Sequence, residues 1–141
     1  MGAISLSGIN YLAVAVAAFV TFFLGGAWYS ALFRAAWVKA HGFTEEQIKA
    51  LEAKHSPALF FGGMLVCYFV MALVMAVMFH AGGIDTAKAG LVWGGLLWLV
   101  HSSLKMTDHI ASGKTFAAFG IDASFQLIAL LLTGAIVGGW K

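Results

Sequence analysis

Four long apolar runs fill nearly the whole chain, and the only carboxylate inside any of them belongs to Asp122. No Asp, Glu, Lys or Arg occurs from Met1 to Phe33, from His55 to Ile84, from Ala89 to Leu104 or from Ala123 to Trp140. An α-helix crosses the hydrocarbon core of a bilayer in roughly 20 residues, so the runs read as four spans. Hydrophobic residues make up 62% of the 141 and charged residues 10%, against averages of roughly 45–50% and 25% in soluble domains. A soluble core of this size cannot hide so much apolar surface. The expected fold is therefore all-α, an integral membrane four-helix up-down bundle forming one domain over residues 1–141.

The spans are expected at roughly 9–40, 57–80, 86–106 and 116–140. The first is expected to be retained, because no basic segment of a signal peptide precedes it. Gly42 suits a helix stop. The string Thr44-Glu45-Glu46-Gln47 fits a capping box, with Phe43 and Ile48 placed for a hydrophobic staple, so a short interfacial helix is expected over 45–54. Pro57 fits the first turn of the second span. Ala81-Gly82-Gly83 is a short turn, which predicts that the second and third spans are antiparallel neighbours.

Arg34, Lys39, Lys49, Lys54, Lys105 and Lys114 fall on one side of this arrangement, and Lys88 and Lys141 on the other. Basic loops stay cytoplasmic, so loops 34–56 and 107–115 are expected inside and both termini outside. The net charge of +2 belongs to this asymmetry and implies no nucleic-acid partner. Cys67, alone in mid-run, reads as a small buried hydrophobe.

Small residues recur at helical spacing. Ala13, Ala17, Thr21 and Gly25 share one face of the first helix, and Gly134 and Gly138 form a G-x-x-x-G pair in the last. Such stripes let backbones approach closely in lipid, either within the bundle or across a homodimer. Gly25-Gly26 and Gly94-Gly95, each a few residues before a tryptophan, raise the idea of an internal duplication. Met64, Met71, Met75 and Met78 lie near one side of the second helix with Tyr68, ending at His80. They suit adaptable packing better than a soft-metal site.

A carboxylate in a membrane helix costs roughly 2.5–3.5 kcal/mol at the bilayer centre on insertion scales, less towards the end, so Asp122 needs a partner. Trp98, His101, Lys105 and Asp108 follow one another at steps of three and four on the third helix. Asp122, Gln126, Ala129 and Thr133 do so on the fourth. Lys105 is the first candidate partner and His101 the second. Two readings stay open: an ion pair that locks the helical hairpin, or a polar cavity opening to the cytoplasm that binds an anionic or zwitterionic small molecule or passes protons. Trp28, Tyr29 and Trp37 fit an aromatic belt at the headgroup level, or the aromatic wall of such a site.

No two histidines match in depth for a haem, and no zinc spacing, phosphate loop or catalytic nucleophile stands out, so no metal, cofactor or catalytic set is expected. The favoured function is binding or moving a small molecule or lipid. The candidate contacts are Trp28, Tyr29, Trp37, Trp98, His101, Lys105, Asp108, Asp122 and Gln126. A ligand-free accessory or scaffold subunit is the alternative, and a membrane enzyme ranks third. An enclosed transport path calls for a homo-oligomer.

Asn10-Tyr11-Leu12-Ala13-Val14, Gly25-x-x-Trp28-Tyr29-Ser30, Trp37 and Gly42-Phe43-Thr44-Glu45-Glu46 together resemble the start of a group of small bacterial membrane proteins, domain of unknown function 1761. Ile121-Asp122-Ala123 and the ending Gly134-Ala135-Ile136-Val137-Gly138 suit the same pattern, with Ala31 where that family more often has proline. The resemblance implies four transmembrane helices in a bacterial plasma membrane and no assigned activity. More distantly, Trp28-Tyr29 with Trp37 resembles the tryptophan-rich sensory proteins, which bind porphyrins and sterols. Those have five helices and a proline-rich segment after the tyrosine, which this chain lacks.

Overall fold

The computed structural model describes residues 4–141, and every regular element among them is helical. Helix α1 spans Tyr11–Gly26 and continues as a π-helical segment, Ala27–Leu32. Then come α2 (Arg34–His41), α3 (Glu45–Lys54), α4 (Pro57–Gly82), α5 (Ala87–Ala111) and α6 (Phe116–Gly139). Five of these starts are capped by a side chain that accepts a backbone N–H left free by the first turn: Asn10, Thr44, Ser56, Thr86 and Thr115. Thr44 and Gln47 complete the capping box in both directions, at 3.2 and 2.9 Å. Pro57 takes the first-turn position of α4. Gly42 (φ 68°) and Gly83 (φ 66°) end α2 and α4 in the left-handed region, where a side chain would be strained.

The continuous helix expected over 9–40 is interrupted. Phe33 N–H reaches back to the carbonyl of Trp28 at 2.9 Å, a five-residue step that widens the last turn of α1. Phe33 itself leaves helical geometry (φ −124°, ψ 11°), and the chain re-enters a helix as α2. The charge-free run ends at this point, since Arg34 follows Phe33 and α2 is far less apolar than α1.

Helix α6 is the hub. It packs along α5 and also against α1, α4 and α2. On one side, Val14 and Ala17 of α1, Ala72, Met75 and Phe79 of α4, and Leu130 and Val137 of α6 form the apolar core. The fully buried hydroxyls of Thr21 and Thr133 face each other there at 3.3 Å, so neither is left without a partner. On the other side, α5 and α6 meet through glycine. A methyl group at Gly90 would collide with the carbonyl of Gly134, one at Gly134 with the carbonyl of Gly90, and one at Gly94 with the carbonyl of Leu130. A methyl at Gly138 would lie 2.9 Å from the Thr86 carbonyl. Backbone touches backbone along this seam, which only glycine permits.

Helices α4 and α5 follow one another in the chain but are not packed side by side, contrary to the expectation from their short turn. Helix α5 rests on α6, where its glycine face fits, and α4 packs chiefly against α1. Leu59, Phe60, Phe61, Met64 and Val66 in the first half of α4 are exposed. Met75 enters the core while Met64 and Met78 face outward, so the methionines do not gather at one point. Cys67, expected to be buried, is exposed on α4.

The stretches Tyr11–Leu32, Pro57–Gly82 and Phe116–Gly139 are long and apolar enough to cross a membrane. Helix α5 matches them in length, at 25 residues, but carries Lys88, Lys105 and Asp108 in its end turns.

Candidate functional site

Asp122 is the point on which the irregular part of the fold converges. The widened turn at the end of α1 carries Trp28 and Tyr29 to α6. The Trp28 indole Nε1–H donates to the carbonyl oxygen of Ile121 at 3.2 Å, and the Tyr29 hydroxyl donates to Asp122 Oδ1 at 2.8 Å. In a regular α-helix two consecutive side chains diverge by about 100°. The π-helical turn relaxes that divergence enough for neighbouring residues to reach neighbouring acceptors, and such turns recur at functional sites.

The break at Phe33 then folds α2 back across the same end of α6. Trp37 and His41 are four residues apart and share a face of α2. Trp37 Nε1–H donates to Asp122 Oδ1 at 3.1 Å. His41 Nε2 lies 3.5 Å from Asp122 Oδ2, an ion-pair contact too long for a good hydrogen bond. Its Nδ1 lies 2.9 Å from the Trp37 carbonyl oxygen, which can only accept. Both ring nitrogens therefore face oxygen atoms, the Trp37 carbonyl and the Asp122 carboxylate. Thr115 Oγ1 donates to the Ala40 carbonyl at 2.8 Å and fixes the far end of α2 to the start of α6.

Rings enclose the carboxylate. Phe125 lies 5.2 Å from Tyr29 and 6.3 Å from Trp28, centroid to centroid. His41 rests on the Trp37 indole at 4.2 Å and lies parallel to Phe43 at 5.8 Å. The side chains of Asp122 and His41 keep 26% and 14% of their surface exposed. The carboxylate is thus rimmed by rings yet keeps part of its surface open.

Four of the nine residues singled out from the sequence meet here: Trp28, Tyr29, Trp37 and Asp122. Trp98 touches the adjoining turn of α6, its Nε1–H donating to the Ala123 carbonyl at 2.8 Å. The other four stay apart. Lys105, the expected partner of Asp122, is exposed on α5. Asp108 pairs with Lys114 at 3.7 Å on the surface. Gln126 is half-buried without joining the cluster. His101 Nε2 is buried with no hydrogen-bond partner, as are Ser102 Oγ and His109 Nε2 along the same helix. The reason is rotational: Asp122 turns towards α1 and α2, whereas α5 covers a different face of α6. Sequence reasoning missed His41, Phe43 and Phe125. The Trp37/His41 spacing of four was available, but it gains meaning only once α2 turns back.

Chemically, this is an acceptor site. Oδ1 already holds two neutral donors, and Oδ2 faces the one group able to carry positive charge. No three His, Cys, Asp or Glu side chains among the described residues gather as a metal set.

A helical protein with three helices long and apolar enough for a membrane, and one carboxylate held by rings from a broken helix, is the class that fold and site define together. The chain matches the family model described as "Protein of unknown function (DUF1761)" over residues 12–138, and it belongs to that family. No curated protein and no solved structure matches it.

Proposed function

We propose that this chain is a membrane protein that binds a small molecule or a lipid headgroup at the ring-lined carboxylate of Asp122. In this reading α5 is the fourth crossing. Its 25 residues extend about 37 Å at 1.5 Å per residue, more than the roughly 30 Å of hydrocarbon. The basic loops 34–56 and 107–115 then face the cytoplasm, and the site opens on that side, in the inner membrane of a bacterium. The observation that carries the reading is the pairing of Asp122 with Tyr29, Trp37 and a half-open Oδ2 instead of a lysine. A purely structural carboxylate would be better neutralised by a fixed cation, and Lys105 on the same half of α5 is not used for it. Both small-residue faces considered for a homodimer are filled from within the chain, so an oligomer would use other surfaces.

The test is a titration of the purified chain in lipid nanodiscs with a panel of neutral, zwitterionic and charged small molecules, followed by tryptophan fluorescence. Trp28 and Trp37 lie at the carboxylate, so a bound molecule changes their emission. Saturable change in the wild type and its loss in Asp122→Asn, with cooperative unfolding retained, support binding. Silence across the whole panel, with Asp122→Asn merely less stable, rejects it.

A second reading is an accessory or scaffold subunit without ligand. It is favoured by the completeness of the Oδ1 contacts, which by themselves already tie three chain segments together.

A further inference from the structure

Resting on the binding reading above, we propose that the ligand is a small organic cation and that His41 occupies its seat. Three observations point the same way. First, the one half-free acceptor of the site is Asp122 Oδ2, and the group facing it at 3.5 Å is the His41 ring. Second, that ring already lies where cations are attracted to aromatic faces, with centroids 4.2 Å from Trp37 and 5.8 Å from Phe43. The range of the effect is about 6 Å. A carboxylate at one edge and π-faces along the sides are the complement of an imidazolium, a guanidinium or a quaternary ammonium group. An anion would meet the carboxylate head-on. A neutral molecule would gain little over the histidine it displaces.

Third, the occupant is held by a detachable element. No residue of α2 is buried. Phe33 interrupts the helix before it, and Gly42 ends it with φ 68°. Its bonds to α6 are those to Asp122 and the single bond from Thr115 to the Ala40 carbonyl. A cation takes the place of the ring when the His41 side chain swings outward from this exposed helix, leaving Trp37 and Phe43 in position and the apolar core undisturbed. His41 thereby acts as a built-in competitor. It supplies positive charge only in its protonated form, whereas a quaternary ammonium supplies it always.

The experiment uses the full chain in phosphatidylglycerol nanodiscs, with tetramethylammonium and methylguanidinium as cationic probes and acetate as the anionic one. The apparent Kd is the intrinsic Kd divided by the fraction of molecules whose seat is open, so an occupied seat weakens binding. In His41→Ala the cations are expected to bind roughly tenfold or more tightly than in the wild type, read from tryptophan emission. Adding Asp122→Asn to that variant should abolish the gain. Should His41→Ala not fold, His41→Gln keeps a side chain of similar reach without the charge, and the same gain is expected. Phosphatidylcholine in the nanodisc supplies the same cationic group from a lipid. Competition with tetramethylammonium assigns the seat to a headgroup, and its absence assigns the seat to a soluble cation. Equal cation binding with and without His41 overturns the proposal. So does Asp122-dependent binding of acetate or of a neutral panel member in place of the cations, an outcome that leaves the binding reading standing. Silence from every probe in every variant rejects both.

Discussion

Helix α6 holds its neighbours in two different ways. Towards α5 it offers Gly134 and Gly138, and the two backbones touch over several turns. Towards the end of α1 and α2 it offers one carboxylate and the Ile121 carbonyl, met by side-chain donors from Trp28, Tyr29 and Trp37. The first contact consists of many small dispersion terms that a single added methyl destroys. The second consists of a few directed bonds that break one at a time. A seam of the first kind has one geometry. A clamp of the second kind can be opened and remade, which is what a binding site needs.

The contrast is breakable by mutation. Gly134→Val should do the most damage, because its Cβ alone would already overlap the Gly90 carbonyl. Overpacking costs about 1–3 kcal/mol at ordinary sites and more where backbone cannot retreat. Loss of the folded species in a detergent unfolding titration is the expected result, and near-normal stability would show that the seam is looser than described. Asp122→Asn should cost about 1.5–3 kcal/mol, the range for hydrogen bonds to a charged group. Its hydrogen-exchange signature should be confined to α2 and the π-helical turn, leaving α5 protected. Trp98→Phe removes one indole bond to the Ala123 carbonyl and should cost about 1 kcal/mol. A double-mutant cycle of Thr21→Val and Thr133→Val should return a coupling near the membrane-protein average of about 0.6 kcal/mol. Lys105→Met should change neither unfolding nor any ligand response. A substantial loss there would restore the Lys105–Asp122 pair and contradict the geometry.

Much of this fold was legible because its signals are local. The capping box at Thr44 and Gln47, the proline at the start of α4 and the left-handed Gly42 each depend on residues a few positions apart, and each formed where expected. The small-residue stripes pack inside the chain, one of the two arrangements their spacing allows. The site was legible only in part. Asp122 identifies itself, since an acid among apolar residues must find company. Its companions do not, because they are chosen by the direction in which α6 is rotated, a property of the packed bundle. Lys105 matched Asp122 in depth and lost to a tyrosine and two rings on the opposite face. The break at Phe33 falls where the charge-free run ends, but hydropathy is blind to the wider turn just before it. Helices α4 and α5 illustrate the remaining error, since a short connection brings helix ends together without deciding what their flanks prefer.

The central place of α6 bears on how the protein is made. In the order of synthesis this helix follows the other helices described here. Until it emerges, the peptide groups flanking Gly90 and Gly94 have no opposing surface, and the indoles and phenol at the end of α1 have no acceptors to meet. Assembly of these helices is thus deferred until α6 is available. A ribosome stalled before residue 116 should leave the earlier helices as loosely associated neighbours, open to quality-control proteases.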